Sequence, residues 1–154
     1  MAKMIDEKPS FKGEGKVWNK LSEYLPSDMV VYNQREINGR EYDFCVMAEN
    51  LGIVVIEVKG WLAERIIVNG VDNIDVEGYE KPQTSPKKQA RAYRFAILNK
   101  ISEKYNVSPL VLDMVCYPFI SKAEYESSRL DIVSEEQYTI FKEDLEDCER
   151  LNNK

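Results

Sequence analysis

The residues best placed by type and spacing to do chemistry lie in and just before the run Gly52-Ile-Val-Val-Ile-Glu-Val-Lys-Gly60, which is apolar except at Glu57 and Lys59. An apolar, β-branched run bounded by glycines has the pattern of a buried central strand. Side chains alternate across a strand, so Glu57 and Lys59 share a face. An unpaired charge in such a place costs several kcal/mol or shifts its pKa, and buried charges are normally paired or metal-bound. Asp43 lies on the preceding predicted strand. Two accounts fit these residues taken alone. Glu57 and Lys59 could be an ion pair emerging at a strand end, with Asp43 as a cross-strand partner of Lys59. Alternatively, the two carboxylates could hold a hard cation and the lysine could act on a substrate beside it.

Composition narrows the alternatives. The 154 residues include no histidine, which excludes Ser-His-Asp and Cys-His catalysis, histidine-ligated zinc and histidine general bases. Carboxylates, lysine, tyrosine, thiol or an oxygen-ligated metal remain. The length suits a single domain, expected over 11–154 behind a polar, frayed stretch over 1–10. The net charge of −6 argues against nucleic-acid binding by the surface as a whole but not against a local basic patch. Cys45, Cys116 and Cys148 are odd in number and widely spaced, as in an intracellular protein with reduced thiols. The N-terminus lacks an apolar signal core and no run is long enough to span a bilayer, so a cytoplasmic protein without membrane contact is expected.

These residues need elements to position them. Val17, Trp18, Leu21, Tyr24 and Leu25 have helical spacing over 11–25, and Pro26 ends that helix. Glu14 falls in or before its first turn, where an acid also favours the helix N-terminus by about 0.3–1 kcal/mol. Residues 29–37 and 40–47 read as strands joined by the hairpin signal Asn38-Gly39. They lead antiparallel into the central strand and place Asp43 in the strand beside Glu57 and Lys59. Trp61–Val68 reads as a fourth strand, Asn69-Gly70 as a second hairpin turn, and 71–77 as a fifth strand. Ser85-Pro86 reads as an N-cap followed by the first position of a helix over 86–105. That helix carries Lys87, Lys88, Arg91 and Arg94, the most basic segment of an acidic chain; a charged helix face of this kind is commonly just solvated. A strand over 110–120, a short helix or loop over 121–130, a short strand over 137–141 and an acidic helix over 142–151 complete an α/β fold with a mixed central sheet flanked by helices.

The ordered set Gly13-Glu14-Gly15, Glu41-Tyr-Asp-Phe44, Gly52–Gly60, Ser85-Pro-Lys-Lys-Gln-Ala-Arg-Ala-Tyr93 and the strand near Asp113–Phe119 resembles the nuclease-related domain, NERD, of the PD-(D/E)xK nuclease superfamily. The resemblance covers roughly Phe11 to Leu151. It implies a restriction-endonuclease-like core and a Mg²⁺- or Mn²⁺-dependent hydrolase of DNA phosphodiester bonds. Asp43, Glu57, the backbone carbonyl of Val58 and Glu14, directly or through water, would hold the metal. Lys59 would orient or help deprotonate the attacking water. Gln89 would lie near the site, with Tyr93 one helical turn on, and Lys87, Lys88 and Arg91 would contact phosphates. At its spacing, Tyr93 also fits a core position. Such domains often precede a helicase or kinase module, which would then be a partner in the same or another chain. Two rivals are a non-catalytic nucleic-acid-binding accessory domain and a protein-interaction domain using the acidic face.

Overall fold

The computed structural model describes residues 2–37, 40–48, 52–68, 73–77, 83–105 and 110–146. Its elements in chain order are β1 (Lys3–Met4), α1 (Lys12–Tyr24), β2 (Met29–Asn33), β3 (Glu36–Ile37), β4 (Arg40–Glu41), β5 (Phe44–Ala48), β6 (Gly52–Val58), β7 (Ile66–Val68), β8 (Asn73–Val76), β9 (Gln83–Thr84), α2 (Pro86–Tyr105), β10 (Val111–Cys116), α3 (Lys122–Ser127) and β11 (Thr139–Ile140). The main sheet has six strands in the order β1-β2-β5-β6-β10-β11. β5 runs antiparallel to both β2 and β6, whereas β1, β10 and β11 pair in parallel with β2, β6 and β10. The sheet is therefore mixed, as expected, and β6 is one of its two central strands.

Alternation along β6 assigns its two faces. Val54, Ile56 and Val58 pack with Val17, Leu21 and Leu25 of the α1 segment, together with Phe44, Val46, Met114 and Cys116. Val55 packs on the other side with Cys45, Val111 and Ile97, against which Tyr93 and Ile101 of α2 also lie. The sheet is thus sandwiched between α1 and α2, and each buried aliphatic side chain contributes about 1.5–3 kcal/mol. A third cluster, with Trp61, Ile74, Tyr117, Tyr125 and Phe141, closes the far end, where the small sheet β7-β8-β9 and α3 meet the C-terminal edge of the main sheet. The strand–helix–strand unit β6–α2–β10 brings the start of α2 back over the end of β6 that carries Glu57.

Two glycines permit close backbone approaches. A Cβ on Gly13 would sit 3.1 Å from Gly60 Cα, so Gly13 lets the first turn of α1 rest on the backbone just past β6. Gly52 has φ +133°, and a Cβ there would meet the Leu110 carbonyl at 2.6 Å, so only glycine suits the start of β6.

Several expectations are corrected. The stretch over 1–10 is not frayed throughout: Lys3 and Met4 add an edge strand beside Val30 and Val31, and the Asp6 carboxylate accepts one forked hydrogen bond from the Arg35 Nε–H, at 2.9 and 3.2 Å to its two oxygens, and another from Nη2 at 2.9 Å. The strand expected over 29–37 breaks after Asn33, because Gln34 adopts φ 52°, in the left-handed region. Trp61 to Val68 is not one strand. Trp61 turns inward against Tyr117, with ring centroids 6.4 Å apart, and a 3₁₀ turn over Ala63–Arg65 precedes β7. The final acidic helix is a single 3₁₀ turn over Glu143–Glu146 within the described residues. There the buried Asp144 carboxylate accepts from the Phe141 N–H at 2.8 Å, a local bond that competes with helix formation. The Asn38-Gly39 and Asn69-Gly70 turns and Cys148 lie outside the described residues, although β3 pairs with β4 and β7 with β8 in hairpin register.

Candidate active site

The end of β6 brings the acidic residues and the lysine together. Glu57 is 5% exposed. Its Oε1 lies 3.3 Å from Lys59 Nζ, while its Oε2 is buried with no hydrogen-bond partner among the described residues. Burial raises the Glu57 carboxyl above its ordinary range, against the opposing pull of the Lys59 ammonium. The β5–β6 register pairs Phe44 with Ile56, so Asp43 comes level with Glu57 just beyond the ladder. The Asp43 Oδ2 accepts from the Val58 N–H at 2.7 Å. Burial first, and the neighbouring Glu57 carboxylate second, push the Asp43 carboxyl up to about 8. Two carboxyls this close resist joint ionisation unless a cation lies between them.

Glu14 joins from the opposite layer. Its field raises both Asp43 and Glu57, and its Oε2 accepts from Gln34 Nε2 at 2.8 Å. Gln34 is a site residue that the sequence did not flag. Its N–H donates to the Asp43 carbonyl at 3.0 Å, so the left-handed turn that ends β2 ties Asp43 by its backbone and Glu14 by its side chain. The available signal was a polar Asn33-Gln34 pair interrupting an otherwise apolar strand pattern, which alone indicates only a break. Lys59 is backed by Trp61, whose ring centroid lies 5.6 Å from its Nζ. Glu14, Val58 and Lys59 open onto a groove of ≈640 Å³ that is also lined by Phe11, Lys12, Trp61, Arg65 and Phe119.

The start of α2 approaches from the Val55 side of the sheet. Tyr93 packs against the cluster containing Val55, and Gln89 lies one helical turn before it on α2. Gln89 Oε1 is buried without a partner among the described residues. The basic residues of α2 are disposed differently. Lys87 forms an ion pair with Glu135, Arg94 pairs with Asp113 at 3.1 Å, and Lys88 and Arg91 are exposed. The two thiols among the described residues offer no rival nucleophile, since burial pushes Cys45 up to about 12 and Cys116 upward as well.

Among the described residues no group of three or more Cys, Asp or Glu side chains is set as a ready-made metal cage. The donors nonetheless suit a hard cation. Mg²⁺ takes oxygen ligands, keeps several waters and needs only one or two protein carboxylates. Glu57 Oε2 is buried without an N–H or hydroxyl partner among the described residues, and besides Lys59 the Glu57 carboxyl has the Asp43 carboxyl as its hydrogen-bond neighbour, raised first by burial and then by the Glu57 charge. Asp43 and Glu57, with Glu14 and the Val58 carbonyl nearby, are the residues that could hold such an ion.

The sequence model of the nuclease-related domain matches residues 9–118. The chain belongs to the nuclease-related domain family. The matched span runs from just before α1 through β10, so all of the acidic site, Lys59 and the start of α2 lie within the family region. Among solved structures, a repair endonuclease from Pyrococcus abyssi aligns over 88% of this chain and 48% of that one, at 13% identity and a TM-score of 0.42. The chain thus spans about half the length of that structure. No curated protein is significantly similar to it in sequence. No helix among the described residues of this nuclease-related domain is long and apolar enough to cross a membrane.

Proposed function

We propose that this nuclease-related domain hydrolyses DNA phosphodiester bonds with a divalent cation, Mg²⁺ or Mn²⁺, held by Asp43 and Glu57. The observation that carries the proposal is the buried, unpartnered Glu57 Oε2 beside the raised Asp43 carboxyl, at the end of a strand that also presents Lys59. A structural ion pair accounts for Glu57 Oε1; beyond it the Glu57 carboxyl has the Asp43 carboxyl as its hydrogen-bond neighbour, and two acids crowded into one buried site are an arrangement that a cation between them relieves. A bound divalent cation lowers the pKa of an attacking water and offsets charge on the phosphoryl oxygens.

The chain's own side chains have separate tasks. Asp43 and Glu57 bind the cation, Asp43 oriented by the Val58 N–H. Glu14 is held over them by Gln34. The Lys59 ammonium, braced between Glu57 and the Trp61 ring, hydrogen-bonds the attacking water or a phosphoryl oxygen and stabilises the charge that develops there. Gln89, from the α2 side, orients the same water. A part in DNA repair or processing, and a helicase or kinase module beside this domain, belong to the same proposal and rest on family membership.

The test is cleavage of single- and double-stranded DNA with Mg²⁺, Mn²⁺ or EDTA, by the wild type and by Glu57→Gln. Metal-dependent cleavage is expected from the wild type, with a loss on the order of 10³-fold in the variant. A folded Glu57→Gln protein that cleaves at the wild-type rate would sink the assignment.

A further inference from the structure

Beyond the acidic cluster, the groove at the N-terminus of α1 contains features that the metal site does not use. Phe11 is 69% exposed. It also occupies the N-cap of α1, where it provides no side-chain hydrogen bond. Serine, threonine, aspartate or asparagine at an N-cap satisfies a free helix N–H. An aromatic side chain that forgoes this bond and stands in solvent contributes neither capping nor core packing. On the same groove, Lys12 lies over the Phe119 ring at 5.9 Å; Lys16, outside the groove lining, steadies that ring at 5.3 Å while donating to the Pro118 carbonyl at 2.9 Å. Arg65, exposed on its 3₁₀ turn, and Lys59 complete the lining cations, against Glu14 and Glu77 as its acids. An open aromatic face, fixed cations and a volume of ≈640 Å³ match the two components of single-strand recognition, which are stacking of a base and a cationic track for the backbone.

We propose that this groove binds an unpaired segment of nucleic acid beside the cleavage site, with Phe11 stacking on a base and Lys12 and Arg65 contacting the flanking phosphates. The inference rests on the nuclease proposal for the identity of the ligand and deepens it by naming the strand state. In a duplex both base faces are already stacked, so Phe11 can engage only a base that is out of the helix. The groove also accounts for substrate attraction in an acidic protein, since part of the α2 basic segment is consumed in ion pairs with Glu135 and Asp113.

Binding of a fluorescent mixed-sequence 12-mer, single-stranded or duplex, is measured by anisotropy in EDTA at low salt, so that no cleavage is needed for the readout. The single strand is expected to bind more tightly than the duplex. Phe11→Ala, an exposed substitution, is expected to weaken single-strand binding about five- to 150-fold and to leave duplex binding unchanged. The Lys12→Ala/Arg65→Ala double variant is expected to reduce the salt slope of single-strand binding by about 1.4. Wild-type single-strand affinity in Phe11→Ala, or an equal loss on single strand and duplex, overturns the groove assignment even if metal-dependent cleavage is found. Selective loss in Phe11→Ala supports it even if no cleavage is found, so the two proposals fail separately.

Discussion

Two regions of the molecule, the basic segment of α2 and the end of β6, carry charge in opposite ways. On α2, the residues that look most like a nucleic-acid patch include two that are already engaged, Lys87 with Glu135 and Arg94 with Asp113. At the end of β6, the residues that look most like an ion pair are incompletely satisfied, since Lys59 answers one oxygen of Glu57 and leaves the other buried with no cation or N–H of its own, beside the Asp43 acid. Density of charge along a sequence is therefore a poor guide to charge available for binding. What distinguishes the two regions is whether each buried polar atom has a partner, because a desolvated group without one costs about 1–3 kcal/mol or more if charged. A chain tolerates that cost where the site serves a ligand.

The largest effect is expected at Lys59: replacing it with Met, which keeps the aliphatic stem against Trp61, is expected to lower cleavage by about 10²–10⁴-fold. Full activity in that variant would move the catalytic charge elsewhere. Next, Gly13→Ala brings a Cβ to 3.1 Å from Gly60 Cα and pushes the first turn of α1, with Glu14, away from β6. Cleavage is expected to fall about tenfold and stability by about 1–2 kcal/mol, read by turnover and by urea melts.

A smaller effect has a definite sign in pH. The Asp43 carboxyl is raised in the folded protein to about 8 from its ordinary value of 3.8, so between those values the folded state holds a proton that the unfolded state has lost. Its contribution to stability is fully present below about pH 4 and is lost as pH rises through about 8. In metal-free protein, Asp43→Asn is therefore expected to be more stable than wild type at pH 8, by on the order of 1–3 kcal/mol, and equal to it near pH 4. Thermal melts at the two pH values check this. A destabilised Asn variant at pH 8 would mean that Asp43 is satisfied as an anion by the fold alone. The smallest effect is expected on α2, where Lys87→Ala removes a half-exposed ion pair worth about 0–1 kcal/mol and changes DNA affinity less than twofold. A large loss of affinity would show that the Glu135 pair opens to bind substrate.

Much of this arrangement was readable from residue pattern. The two-residue alternation of β5 and β6, the helical stripe of α1 and the Ser85-Pro86 start of α2 follow from local periodicity and turn chemistry; they locate Glu57 and Gln89 on their elements, while Asp43 falls in the break that splits the strand expected over 40–47 and Lys59 falls just past the end of β6. The parts that were not readable depend on long-range contacts. Gln34 meets Glu14 only because β2 ends in a left-handed residue. Lys3 and Met4 form a strand only because β2 offers them an edge. Trp61 leaves its strand pattern for a ring contact with Tyr117, far along the chain. The pairing of Lys87 with Glu135 spans 48 positions, and nothing near either residue announces it. Local patterns thus reveal which residues lie on which face, whereas the state of each polar atom depends on partners brought in by the fold.

The central claim is that the buried acids at the end of β6 form a cation site. Anomalous diffraction from crystals soaked in Mn²⁺ tests it most directly. A peak bonded to both Asp43 and Glu57, and absent from Glu57→Gln crystals, is the predicted result. A Mn²⁺ site elsewhere, or none at concentrations that support cleavage, would contradict the account.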